Sequence, residues 1–227
     1  MPFELDRIVP WGRSYGEYLR MFALGEAELR GKILDVAGGP ASFVAEHAAR
    51  GGYGVSCDPL YAHTSSEIQE RIDATYETVL EQARANRGQF VWKEFRDPDD
   101  LGRARRAAMA AFLSDYPLGV AEGRYRAEEL PQLQFPEGAF DLALCSHFLF
   151  LYGEHCDLEF HRQSIAELLR VAREVRVFPL LGLDGLPSPH LEPLRAEWAA
   201  AGLGVSVEQV PYEFQRGGNR LLRIRKE

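Results

Sequence analysis

The order of apolar and polar positions divides the chain into short apolar runs and longer segments with helical spacing. KILDV (Lys32–Val36) is a compact apolar run ending in glycines, the mark of a buried strand. From Ser42 to Arg50 the pattern predicts a helix, opened by Pro40 and Ser42 and stopped by Gly51-Gly52. GVSCD (Gly54–Asp58) predicts a second strand, closed by Pro59. Strand, helix and strand in such close succession form a parallel crossover. FDLALCS (Phe140–Ser146) and EVRVFPL (Glu174–Leu180) predict two more strands. Between them lies a helix over Leu158–Val171, with Ile165, Leu168, Leu169 and Ala172 in helical spacing. Leu191–Ala201 reads as another helix. VSVEQV (Val205–Val210) and LLRIR (Leu221–Arg225), joined through a Gly-Gly turn, predict an antiparallel hairpin at the sheet edge.

Strands that alternate with helices and close on a hairpin predict an α/β fold: a Rossmann-like, doubly wound, mostly parallel sheet covered on both faces. One interval breaks the rhythm. The stretch from Asp58 to Tyr125 is far longer than a simple crossover needs, and Thr64–Asn86 and Asp99–Tyr116 both read as helices. Residues 61–120 are therefore expected to form a helical insertion, a lid or substrate cap at the carboxyl end of the second strand. The whole of 1–227 reads as one domain, with 1–30 as an N-terminal helical cap segment.

Composition narrows the function classes. Hydrophobic residues make up 46% and charged residues 26%, which suits a globular chain rather than a disordered or fibrous one. The 26 Lys+Arg against 34 Asp+Glu give −8, so nucleic acid is disfavoured as a partner. Cys57, Cys145 and Cys156 are too scattered for a disulfide framework or a structural zinc site. MPFELDRIVP lacks the pattern of a signal peptide, and the apolar run from Phe140 to Tyr152 is interrupted by Asp141, Ser146 and His147, so no membrane association is expected. A cytoplasmic protein is the expectation; the oligomeric state is left open.

The turn ILDVAGGPASF (Ile33–Phe43) carries the first chemistry. It lacks the Lys of a phosphate-gripping loop, and its adjacent Gly38 and Gly39 do not match the dinucleotide fingerprint. What remains is Asp35 in the first strand, a small-residue bend at Ala37, Gly38 and Gly39, and Asp58 closing the second strand. The bend admits a ligand close to the main chain. Asp58 offers acceptors to a ribose diol. Asp35 disfavours phosphate and favours a cationic group. A phosphate-free ribonucleoside carrying a sulfonium and an ammonium, S-adenosylmethionine, meets all three conditions.

These residues resemble the first motif of the class I S-adenosylmethionine-dependent methyltransferases, hhD-x-G-x-G-x-G, with Ala37 and Ala41 in place of two glycines. YRAEELPQLQFPEGAFDLALCSH (Tyr125–His147) resembles the family's G-D-A-x-x-L-P-F-P-D-x-S-F-D stretch, and the likeness runs from Lys32 to the C-terminus. It implies a seven-stranded sheet with an antiparallel last strand, S-adenosylmethionine as cofactor and S-adenosylhomocysteine as product. It also implies that Asp35, Ala37, Gly38 and Gly39 lie beside the methionine moiety and ribose, and that Asp58 anchors the ribose. Pro59 and Leu60 would touch the adenine, with Ala127 and Glu128 against its other side. Arg126 stands where an Asp would meet the adenine amine. Cys145, Ser146 and His147 would lie near the transferable methyl. In WGRSYGEYLRMF (Trp11–Phe22), Arg13 and Tyr18 are candidates for the methionine carboxylate, Arg because its fork matches both oxygens. The alternative for this segment is an aromatic stripe, including Tyr15, packed on the sheet.

Methyl transfer asks mainly for alignment, plus a base when the acceptor must lose a proton. His147 is the first candidate base and Tyr152 a candidate acceptor contact, with Glu154 and His155 on the same loop. His155, Asp157 and His161 have poor spacing for a metal, and none is expected. Asp184, Ser188 and His190 lie on a Gly/Pro-rich loop; Tyr212, Gln215, Arg216 and Asn219 read as turn chemistry. The expectation is a methyltransferase acting on a small-molecule acceptor. The alternatives are a non-catalytic protein that binds the methyl donor or its product, a methyltransferase acting on nucleic acid or protein, and a nicotinamide dehydrogenase.

Overall fold

The structure is a computed structural model that describes residues 9–226. The first eight residues of the expected N-terminal segment, and with them most of the stretch read for a leader, lie outside the described residues. In chain order the elements are α1 (Tyr15–Met21), α2 (Glu26–Leu29), β1 (Lys32–Val36), α3 (Phe43–Ala49), β2 (Tyr53–Cys57), α4 (Ser65–Ala85) and α5 (Pro98–Ala121). Then follow β3 (Tyr125–Arg126), β4 (Phe140–Ser146), α6 (Leu158–Val171), β5 (Ala172–Phe178), α7 (Leu191–Ala200), β6 (Gly204–Gln209) and β7 (Arg220–Arg225).

The strands form one seven-stranded sheet in the order β3-β2-β1-β4-β5-β7-β6. The first five are mutually parallel, while β7 runs antiparallel to both β5 and β6. This is the sheet that the family resemblance implies. The expected hairpin is present, with β6 at the edge and β7 inserted beside β5.

Side-chain alternation splits the core between the two faces. Ile33 of β1 and Leu142 and Leu144 of β4 join Phe43 of α3, Tyr18 and Met21 of α1 and Phe112 of α5. Leu34 and Val36, with Ala143 and Cys145, face the other way onto Ile165, Leu168 and Trp198 of α6 and α7. A strand buried on both sides must be apolar at every position, which is why KILDV shows no polar alternation. Asp35 is the exception.

Several boundaries differ from expectation for identifiable reasons. β5 starts at Ala172, directly from the end of α6, because Ala172 pairs with Phe140; it stops before Pro179, which has no N–H to donate. α5 continues past Pro117 to Ala121. The two helices between β2 and β3 play different parts. α5 packs against α3 and β3, whereas α4 packs on α5 and supplies a wall over the carboxyl ends of the strands. The loop after α4 is fastened to the β6–β7 connection: Val91 N–H donates to Phe214 O (2.7 Å), Arg216 N–H to Gln89 O (2.9 Å), and the Phe90 and Phe214 rings stack at 4.6 Å. Among the described residues no helix is long and apolar enough to cross a membrane.

Candidate active site

A cavity of about 740 Å3 opens at the carboxyl ends of β1, β2 and β4, beneath α4. Its floor begins where β1 ends. Ala37 and Gly39 both have positive φ (56° and 52°), the backbone reversal that lets the chain turn into α3. Gly38 is small for a different reason from the one inferred from sequence. A Cβ there would meet Ser56 Oγ at 2.2 Å and Asp35 Oδ2 at 2.3 Å, so the missing side chain makes room for the protein's own groups behind the turn.

Asp58 follows β2 and stands in the cavity wall. Its Oδ1 accepts from Leu60 N–H (2.8 Å) and its Oδ2 from Gly39 N–H (2.9 Å). Burial nevertheless raises its pKa above the ordinary carboxylate range. The two backbone donors fix the carboxylate and leave lone pairs on both oxygens, the geometry that meets a vicinal diol. Pro59, Leu60 and Glu128 continue this wall, with Glu128 held by Arg126 (2.5 Å) and by Gln134 N–H (2.7 Å).

Another part of the wall is cationic. Arg13, just before α1, donates from Nη1 to Trp11 O (2.9 Å), its Nε has no hydrogen-bond partner, and it has no ion pair among the described residues. Burial and the neighbouring Arg105 both lower its pKa. Arg105, 1% exposed, reaches in from α5; its Nη1 donates to both Glu17 oxygens (2.9 and 2.7 Å). Tyr212 O–H donates to the same Glu17 carboxylate (2.8 Å). Near these cations lies His147, directly after β4, with φ 52° and Nδ1 2.9 Å from Ser146 Oγ. Burial, Arg13 and Arg105 together push its pKa well below the ordinary imidazole value, so the ring is neutral at pH 7. Tyr152 completes this corner.

No family model matches the chain. The uncharacterised protein MJ0045 of Methanocaldococcus jannaschii is 36% identical over 224 residues, which cover 98% of this chain and 98% of that protein. The chain belongs to the family of that protein. Among solved structures, the magnesium protoporphyrin IX methyltransferase of Synechocystis PCC 6803 with bound S-adenosylhomocysteine is 15% identical, covering 93% of this chain and 81% of that one at a TM-score of 0.47. The PH0226 protein of Pyrococcus horikoshii is 13% identical, covering 93% and 89% at 0.48.

The fold brings Arg13, Ala37, Gly38, Gly39, Asp58, Pro59, Leu60, Glu128, Ser146, His147 and Tyr152 to one cavity. Four expected site residues are not in its wall. Asp35 is 1% exposed and lies behind the turn, because β1 presents it to the Ile33 face, where Tyr18 and Ser56 engage its carboxyl. Tyr18 is likewise sealed behind Asp35 and stacks on Phe43 at 4.6 Å, so it does not reach a carboxylate in the cavity. Cys145 alternates onto the opposite face, in the α6 core. Ala127 follows the very short β3 and is exposed at the surface. Arg126 also turns away, with its guanidinium 4.3 Å over the Phe135 ring.

Four of the remaining loop residues have structural partners. Asp157 caps α6 and His161 bonds the Asp157 carbonyl, and among the described residues no group of three acidic, His or Cys side chains could hold a metal. Asp184 accepts from Leu186 N–H, and His190 lies against Gly153 O. Tyr212 and Gln215, read from sequence as turn chemistry, stand in the cavity wall, and Arg105 was not singled out at all. No local signal marks Arg105: it sits in RARRAA beside Arg103 and Arg106, and only the distant Glu17 distinguishes it.

Proposed function

We propose that this chain is an S-adenosylmethionine-dependent methyltransferase acting on a small-molecule acceptor. The observation that carries the reading is the pairing, within one cavity, of a pinned Asp58 carboxylate at the β2 tip with the Arg13 guanidinium, which has no ion pair among the described residues. Asp58 takes the ribose diol. Arg13 takes the methionine carboxylate, which supplies a counter-charge to a half-buried cation with no ion pair among the described residues. The phosphate-free ligand agrees with a turn that offers no Lys. When bound, the donor supplies a methyl group already activated on a sulfonium.

Ser146 and His147 end β4 beside the reacting centre in this reading, and the neutral imidazole is ready to accept a proton from the acceptor. A protein that only stored the cofactor would be expected to leave no further space. Here the cavity continues past the strand tips to Leu101, Leu183, Phe178 and Phe214, in the size range of small-molecule sites.

Calorimetry with S-adenosylhomocysteine tests the reading directly, and the absence of heat would remove it. Asp58→Ala should weaken that binding by about 1–3 kcal/mol, because the ribose hydroxyls lose their fixed partner; unchanged affinity would take Asp58 out of the site. His147→Ala should slow transfer of labelled methyl roughly 100-fold while leaving S-adenosylhomocysteine affinity intact. A variant of full activity would show that alignment alone suffices.

A further inference from the structure

The far half of the cavity has a composition that points to a class of acceptor. Its walls there are mainly apolar and aromatic, with Val79 and Ala83 of α4, Leu101 of α5, and Phe178, Leu183 and Phe214 from the sheet's carboxyl edge, alongside the amides of Gln89 and Gln215. Set into them is one fully buried cation, Arg105. Its counter-charge is placed asymmetrically. Arg105 is part of the cavity wall and Glu17 is not, so Glu17 sits behind the guanidinium and the cavity meets the positive end of the pair.

The charges in this corner do not balance. Among the described residues, Arg13 and Arg105 face a single buried carboxylate, Glu17, and the titratable neighbours His147, Tyr152 and Tyr212 contribute no anion. Arg105 Nε is buried without a hydrogen-bond partner. The methionine carboxylate offsets Arg13, but the same ligand brings a sulfonium and an ammonium with it. Elsewhere the wall holds Asp58, Glu128 and Glu129 against Arg71, but among the described residues Arg105 has only Glu17 as an ion-pair partner, and it borders an apolar chamber where low dielectric makes a missing anion costly.

We propose that the acceptor is an organic acid with an apolar, ring-sized body, its acid group drawn to Arg105 and its body lying against Leu101, Phe178, Leu183 and Phe214. The proposal rests on the methyltransferase reading. It places the acceptor on the α5 side of His147, opposite Asp58, and makes Arg105 the residue that selects for charge.

The test is binding of matched pairs to the wild-type protein saturated with S-adenosylhomocysteine: benzoate, phenylacetate, cinnamate and 4-hydroxybenzoate, each against its primary amide. The acids should bind at least tenfold more tightly than the amides, with a preference that shrinks as salt rises. Arg105→Lys should keep most of that preference. The double variant Glu17→Gln with Arg105→Gln, which removes both charges of the ion pair together, should bring acid and amide within threefold while still binding S-adenosylhomocysteine. Equal binding of acids and amides to the wild type, binding of neither, or an undiminished preference in a folded double variant would overturn the proposal. Should the double variant not fold, the wild-type comparison decides alone. A protein that took up no S-adenosylhomocysteine yet still preferred acids would keep the anion site and lose the methyl donor.

Discussion

Glu17→Ala should destabilise the protein by about 3–5 kcal/mol, the cost of leaving one partner of a buried ion pair alone. Glu17 is 2% exposed and Arg105 1% exposed. The carboxylate accepts from Arg105 Nη1, from Tyr212 O–H, and from Ser14 N–H and Oγ in the capping box of α1. Removing it leaves Arg105 near Arg13 without its ion-pair partner, loosens the start of α1 and frees Tyr212. Three elements distant in sequence are thus tied by one side chain.

The pH dependence has a definite sign. Burial alone would raise the Glu17 pKa, but the charge and hydrogen bond of Arg105, helped by Ser14 and Tyr212, bring it down to about 2. A depressed carboxylate contributes stability above its unfolded pKa, lost as pH falls through the folded one. The gap between wild type and Glu17→Ala should therefore be constant from pH 6 to 8 and close only in strong acid. Urea unfolding at several pH values measures it, with a melting shift on the order of 10 °C as a cheaper readout. A loss below about 1 kcal/mol would mean that Arg105 does not depend on Glu17.

How far this site was legible in the sequence follows from what each residue's signal depends on. The place of Asp58 in the cavity wall was readable because it directly follows a buried strand and precedes a proline that ends it. The strands β1 and β4 and the helix α6 were readable because apolar runs and helical spacing are local. β3 was not marked individually, since a strand of two residues has no pattern. Asp35 was misplaced because only strand parity, together with the arrival of Tyr18 and Ser56, decides which face its carboxyl occupies. Cys145 failed for the same reason of parity. Arg105 and Glu17 lie 88 positions apart, and nothing along the chain announces that they meet.

That buried Asp35 carries the second large prediction: Asp35→Asn should be nearly neutral for stability at pH 4 and stabilising by up to about 4 kcal/mol at pH 8. Burial raises the Asp35 pKa to about 7; the hydrogen bonds of Ser56 and Tyr18 oppose the rise and Asp58 adds to it. The distance from the ordinary carboxylate value corresponds to about 4 kcal/mol. Counting protons gives the same direction. Tyr18 O–H donates to Asp35 (3.2 Å), Tyr61 O–H donates to Gly39 O (2.7 Å), and Ser56 Oγ lies 3.1 Å from Asp35 Oδ2 and 2.8 Å from Tyr61 O–H. With Asp35 ionised, Ser56 must donate to it, and the Ser56–Tyr61 contact holds no proton. With Asp35 protonated, its O–H donates to Ser56, Ser56 donates to Tyr61, and every contact is satisfied. An Asn amide supplies that same donor at all pH values. The unfolded chain ionises Asp35 near pH 4 while the folded one keeps its proton to about 7, so wild-type stability should fall across that window and then level off. In Asp35→Asn that fall should vanish. Urea unfolding of both proteins from pH 4 to 8 decides it, and parallel curves would show that Asp35 is ionised in the fold. On the proposed function, binding of the cationic methyl donor just beyond the turn should lower the same pKa and release a proton at pH 7. The proton release would appear as a calorimetric heat that changes with the ionisation enthalpy of the buffer in wild type and not in Asp35→Asn.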